Sequence, residues 1–278
     1  MRLPFQSRVE TPELRKPAPS IPLSLPGSDL AALYRAARVG GDFFDFVQVG
    51  DDRLIFVLLD IAGKRDQALN IAASVQESLR SIAPELFASA DLNEADAITD
   101  LVLSVNQTIL NAAGGVRCAP GFIGCYNESM GIVSYINAGS VPALLRLDGE
   151  ISVLEASGLP LGLFSHATHD AQICVLPEGA SLLLTSRGLL EVKAGGEEYG
   201  IERLRNSLQK AGDSSARDLC SDVLRAVSDF VENHKRRRFL GFGSAPQSNA
   251  ETDPLGENDV TAVALLRRSA RANATAAR

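Results

Sequence analysis

The period of the apolar residues changes four times along this 278-residue chain, and the order of those changes excludes most folds. Runs at 43–49 and 53–60 are β-rich and separated by Gly50-Asp51-Asp52, a hairpin pattern. Ala68, Ala72, Val75, Leu79 and Ile82 then step by four and three, one face of a helix that Pro84 is expected to end. Ile98, Val102, Val105 and Ile109 repeat that spacing in a second helix, with Gly114-Gly115 as its stop. Strand pattern returns at 121–126 and 131–136, and again at 143–147 and 151–154 around the hairpin dipeptide Asp148-Gly149. Runs at 172–176 and 181–185 read as a further pair around Pro177-Glu178-Gly179. Helices follow at about 199–210 and 215–232, the second opened by Ser215 and Asp218 at capping spacing, and 260–266 is a last apolar strand. Blocks of strands and blocks of helices are not the strict alternation of a parallel sheet. They predict an α+β fold of hairpin-linked antiparallel sheets with helices packed outside.

The flanks carry different signals. Residues 1–28 hold Pro4, Pro12, Pro17, Pro19, Pro22 and Pro26, which suits a flexible Pro-rich lead-in rather than a helix. A single domain is expected over 29–267, with a frayed Ala/Arg-rich tail at 268–278. Within it, 234–258 opens on His234-Lys235-Arg236-Arg237-Arg238 and turns Gly/Ser/Asn/Pro-rich, the pattern of a mobile solvated loop. The alternative is a flap that meets an acidic or phosphorylated partner.

Composition narrows function. With 27 Lys plus Arg against 34 Asp plus Glu the net charge is −7, which argues against nucleic-acid binding. No run approaches the ~18 apolar residues of a membrane helix, and the first residues lack an apolar signal core, so a cytoplasmic protein without membrane attachment is expected. Cys118, Cys125, Cys174 and Cys220 show no metal-ligand spacing and are expected as buried reduced thiols. His166 and His169 fall in an expected loop and read as solvated.

Three carboxylates sit where chemistry could be built. Asp42 follows Gly40-Gly41 at the start of a strand, Asp60 ends the next strand, and Asp259 precedes the last one. Carboxylates at strand ends beside glycine-rich turns suit hard cations, although solvated turn acids give the same pattern. The strings around them add more. Arg38-Val39-Gly40-Gly41-Asp42-Phe43-Phe44-Asp45-Phe46 resembles the opening motif of the metal-dependent protein Ser/Thr phosphatases, the PPM group, in their bacterial SpoIIE-like branch. Leu59-Asp60-Ile61-Ala62-Gly63-Lys64 resembles that branch's second motif. Asn137-Ala138-Gly139-Ser140-Val141-Pro142, Gly158-Leu159-Pro160-Leu161-Gly162, Glu197-Glu198-Tyr199-Gly200 and Asn258-Asp259-Val260-Thr261 match further motifs in order.

The resemblance implies an αββα sandwich, two antiparallel sheets flanked by helix pairs, with two Mn²⁺ or Mg²⁺ ions at one edge activating a water against a phosphoserine or phosphothreonine. Carried over by position, Asp60 would bridge the metals, Ile61 would offer its carbonyl, Asp259 would ligate one ion, and Asp42 would ligate or hold a metal-bound water. Asp45 lies close by, as ligand neighbour or as an ordinary turn residue. One departure stands out. Where the family has Ser-Asp-Gly, this chain has Ser186-Arg187-Gly188, and a guanidinium cannot coordinate a cation. Arg187 would then plug a metal position or contact the substrate phosphate, leaving one ion or none. Arg65 and Ser140 also replace a family glycine and histidine.

Two functions remain. One is a protein serine/threonine phosphatase acting on a phosphorylated signalling protein, of the anti-sigma-factor antagonist type. The other is a pseudophosphatase that keeps the fold and the partner with little turnover. Partners are expected to act on the helices at about 65–83 and 95–111. An input signal would have to come from a partner or another chain, and a homodimer is an open option.

Overall fold

The computed structural model describes residues 14–35, 41–89, 91–241 and 259–268. Strands β1 (Leu23–Leu25), β2 (Ser28–Arg35), β3 (Asp42–Val49) and β4 (Arg53–Asp60) lead into α1 (Arg65–Leu86) and α2 (Glu94–Ala113). Then come β5 (Gly121–Asn127), β6 (Ile132–Ala138), β7 (Ala143–Leu147), β8 (Glu150–Val153), β9 (Gln172–Val175) and β10 (Ser181–Thr185). A short α3 (Arg187–Leu190), the ribbon β11 (Lys193–Ala194) and β12 (Glu197–Glu198), α4 (Gly200–Lys210), α5 (Ala216–Gly241) and β13 (Val260–Arg267) complete the order.

These strands form an antiparallel five-stranded sheet, β3-β4-β5-β6-β9, and an antiparallel six-stranded sheet, β1-β2-β13-β10-β7-β8. Period-two alternation gives each sheet two apolar faces. Phe46, Phe56, Phe122 and Tyr126 meet Leu30, Leu182, Val263 and Leu265 between the sheets, with Phe122 stacked on Tyr135 at 5.0 Å. Outside the five-stranded sheet, Val57 and Ile123 pack under Ile71, Val75, Ile98 and Val105 of α1 and α2. Outside the six-stranded sheet, Leu183, Ala262 and Ala264 pack under Leu204 and Leu208 of α4 and Leu219, Val223 and Val227 of α5. The result is the expected αββα sandwich. Gly114 caps α2 at φ 65, a left-handed conformation that costs glycine little.

Four expectations change. Helix α1 does not end at Pro84 but runs to Leu86, because the ring removes one bond near its end while Phe87 N–H still reaches Ala83 O at 3.1 Å. The runs at 172–176 and 181–185 are not a hairpin. Strand β9 pairs with β6 and β10 with β7 and β13, so residues 177–180 carry the chain from one sheet to the other. The basic run from His234 to Arg238 is helical, since α5 meets no breaker before Gly241 and Arg236 pairs with Glu232 one turn back at 3.9 Å. The remainder of that segment, 242–258, lies outside the described residues, as do the frayed tail from 269 and the first 13 residues.

The lead-in also changes from residue 14. Arg15 N–H donates to Asn70 Oδ1 at 2.9 Å, Gln76 bonds both N–H and C=O of Ala18 at 2.6 and 2.9 Å, and Ser20 Oγ donates to Phe44 O at 2.8 Å. A strap at 14–20 therefore crosses α1 and β3, and the folded unit reaches back beyond residue 29. Among the described residues no helix is long and apolar enough to cross a membrane.

Candidate active site

At one end of the sandwich the two sheets bring polar side chains together. Register pairs Asp42, the first residue of β3, directly with Asp60, the last of β4, so both carboxylates leave the same face. Alternation along β3 and β4 puts them on the face of Phe44, Phe46, Phe56 and Leu58, toward the second sheet. Asp259 and Thr261 alternate in the same way with Val263 and Leu265 and point back across the gap. Tyr34 of β2 lies opposite Thr261 in the ladder.

Hydrogen bonds tie these groups. Thr261 Oγ1 donates to Asp42 Oδ2 at 2.6 Å, and Gly41 N–H donates to Asp259 Oδ2 at 2.8 Å. Ser186, between β10 and α3, donates its N–H to Thr261 O and accepts at Oγ from Thr261 N–H, at 3.0 and 3.1 Å. Ile61 N–H bonds Gly41 O at 2.9 Å while its side chain is buried under α1. A Cβ at position 41 would stand 2.6 Å from Ile61 O and 3.7 Å from Asp60 Oδ1. Glycine there lets the Ile61 carbonyl and the Asp60 carboxylate close on one point.

The electrostatics are those of crowded acids. Burial pushes Asp42 up to about 7; bonds from Thr261 and Ser186 oppose that rise, and the charges of Asp60 and Asp259 add to it. Asp60 is raised by burial, with Arg187 opposing and Glu191 and Asp259 adding. Burial, Asp259 and Asp42 push Tyr34 up to about 12, its hydroxyl bonded to Asp259. Four carboxylates thus gather near Arg187, while Arg65 acts on Tyr34 from α1. Arg187 is 54 % exposed and pairs with Glu191, one turn on, at 3.6 Å.

Oxygen donors with excess negative charge suit a hard divalent cation. Among the described residues no group of three or more His, Cys, Asp or Glu is placed to hold a metal ion. The oxygen atoms here that could hold a largely hydrated ion, the manner in which Mg²⁺ keeps its waters, are those of Asp60, Asp42 and the Ile61 carbonyl. Asp259 accepts from Gly41 N–H and from the Tyr34 hydroxyl.

Several motif residues prove to be framework. Asp45 is fully buried and bound at 2.7 and 2.9 Å by both arms of Arg80 from α1. Asn137 is buried and staples its own loop, donating to Val141 O and Leu154 O and accepting from Val141 N–H at 2.9 to 3.0 Å. Gly162 N–H donates to Asn106 Oδ1 at 2.7 Å. His169 is buried, not solvated, and its Nε2 bonds Leu159 O at 2.8 Å. Thr261 could have been found from its alternation with Asp259. Tyr34 and Gly41's close approach carry no local signal.

Two facing antiparallel sheets between helix pairs, with acids gathered at one end, define a PPM-type phosphatase fold. The chain belongs to the Stage II sporulation protein E (SpoIIE) family, whose model matches residues 50–237. Protein IcfG of Synechocystis sp. is 26% identical over 229 residues, 74% of this chain and 36% of that protein. The RsbU and RsbW domains of Rv1364c from Mycobacterium tuberculosis superpose with TM-score 0.63 at 26% identity, over 88% of this chain and 61% of that one. The PP2C phosphatase domain with a regulatory fragment of SpoIIE from Bacillus subtilis shares the fold with TM-score 0.64 at 16% identity, over 87% and 62%. The chain therefore spans about a third of IcfG and about three fifths of the two solved chains.

Proposed function

We propose that this chain is a metal-dependent protein serine/threonine phosphatase that dephosphorylates a partner signalling protein, in the class of anti-sigma-factor antagonists. The supporting observation is the direct pairing of Asp42 with Asp60 beneath the Ile61 carbonyl, with Asp259 hooked onto Gly41 alongside. Asp60, Asp42 and the Ile61 carbonyl would hold Mn²⁺ or Mg²⁺, which when bound supplies charge neutralisation for the phosphate and a hydroxide-like water near neutral pH. Thr261 fixes the direction of the Asp42 carboxylate, and Gly41 and Tyr34 fix Asp259. Arg187, half exposed at the rim, is free to trade Glu191 for a substrate phosphate oxygen, a charge-assisted bond that arginine forms well.

A second reading rests on the motif resemblance. By that resemblance Arg187 stands in place of an aspartate, which favours a pseudophosphatase that binds the partner with little turnover. Mn²⁺-dependent release of phosphate from a phosphoserine protein separates the two, measured for the wild type, Asp60→Asn and Arg187→Asp. Activity in the wild type that Asp60→Asn abolishes supports the enzyme. Activity that appears only in Arg187→Asp supports the pseudophosphatase.

A further inference from the structure

A cavity of about 230 Å³ has Asp42 in its wall. Its walls come from four separate elements of the chain. The strap gives Pro17, Ala18 and Ser20; β2 and β3 give Tyr34, Phe43 and Phe44; α1 gives Arg65 and Leu69. Arg65 and Leu69 are four residues apart and share one face of α1, turned toward the strap. The strap is held in place by five hydrogen bonds to Asn70, Gln76, Glu77 and Phe44, so this wall is a built feature.

The chamber is mostly apolar, and among the described residues its charged groups are Arg65 and Asp42, the latter bonded by Thr261. The Arg65 side chain is exposed, its charge is felt at Tyr34, and among the described residues it joins no ion pair. An apolar chamber of one-side-chain size, with a guanidinium in its wall, opens beside the carboxylate at which a phosphorylated residue would be processed.

We infer that this chamber is a specificity subsite, which takes the side chain flanking the phosphorylated residue and selects an acidic one through Arg65. The apolar walls hold the stem of that side chain and Arg65 meets its carboxylate. Phosphorylated segments with a neighbouring Asp or Glu are then preferred over those with Lys. The inference rests on the phosphatase or partner-binding reading of the same site.

The test is binding, read by fluorescence anisotropy with peptides carrying a non-hydrolysable phosphonate analogue of phosphoserine, in Mn²⁺ buffer. The analogue is flanked by Asp, Ala or Lys and titrated with the full chain, Arg65→Glu and Ala18→Phe. The Asp peptide is expected to bind about fivefold more tightly than the Ala peptide, the scale of an exposed ion pair. Arg65→Glu should reverse the order of Asp and Lys. Ala18→Phe, which fills the chamber from the strap side, should bring all three peptides together. Equal affinities in the wild type, or an order that Arg65→Glu leaves intact, overturns the subsite while leaving the phosphatase reading in place. Failure of all three peptides to bind, with no phosphoprotein hydrolysis, removes the phosphatase reading and the subsite with it.

Discussion

Replacing Gly41 by alanine tests whether the acidic site depends on the close approach of two backbone segments. The added Cβ would lie 2.6 Å from Ile61 O, closer than real Cβ contacts come, and the obstacle is backbone rather than the end of a flexible chain. Neither side can yield freely. Gly41 O accepts from Ile61 N–H, Gly41 N–H donates to Asp259, and the next residue, Asp42, is locked into the ladder against Asp60. Overpacking of this kind costs about 1–3 kcal/mol. In a domain of this size that lowers the melting temperature by roughly 2–10 °C. Differential scanning calorimetry of Gly41→Ala measures it, with Gly212→Ala as control, because the Cβ there meets Asp222 at an ordinary 3.6 Å. If Gly41→Ala melts with the control and the wild type, the loop carrying Ile61 is not packed against Gly41 as described, and the argument for its carbonyl fails.

Two further outcomes follow from the same geometry. Asn137→Ala removes three buried hydrogen bonds and should cost about 3 kcal/mol in urea unfolding, at roughly 1 kcal/mol each. Asp42 has a folded pKa near 7, above the ordinary carboxylate value, so the folded state binds the extra proton between about pH 4 and pH 7. Its contribution therefore favours folding below that window and is lost as the pH rises through it. In the presence of a chelator, Asp42→Asn should lose less stability than the wild type between pH 4 and pH 7, and parallel curves would contradict this.

Most of the architecture is legible in the sequence, because each sheet buries one face on its partner and the other under helices. The stepping of Ala68, Ala72, Val75 and Leu79 follows from that, and these four are buried under one face of α1. Legibility stops where the deciding interaction is distant. Nothing between Gln172 and Thr185 says that β9 and β10 belong to different sheets, since a strand-turn-strand pattern serves a crossover as well as a hairpin. Arg80, 35 residues from Asp45, shows no sign in the sequence that it will hold that carboxylate. The strap is similar: its prolines exclude a helix but do not reveal that Gln76 will bind it from α1. At the site, the placing of Asp42 beside Asp60 follows from a strand-turn-strand count around Gly50-Asp51-Asp52, whereas Tyr34 and the Gly41–Ile61 contact need the folded backbone.

Titration calorimetry with Mn²⁺ goes most directly to whether these clustered acids hold a divalent ion. The wild-type chain should show saturable binding that Asp60→Asn loses and that rises in Arg187→Asp as the rim guanidinium is removed. Heat that is absent in the wild type, or undiminished in Asp60→Asn, would contradict the assignment.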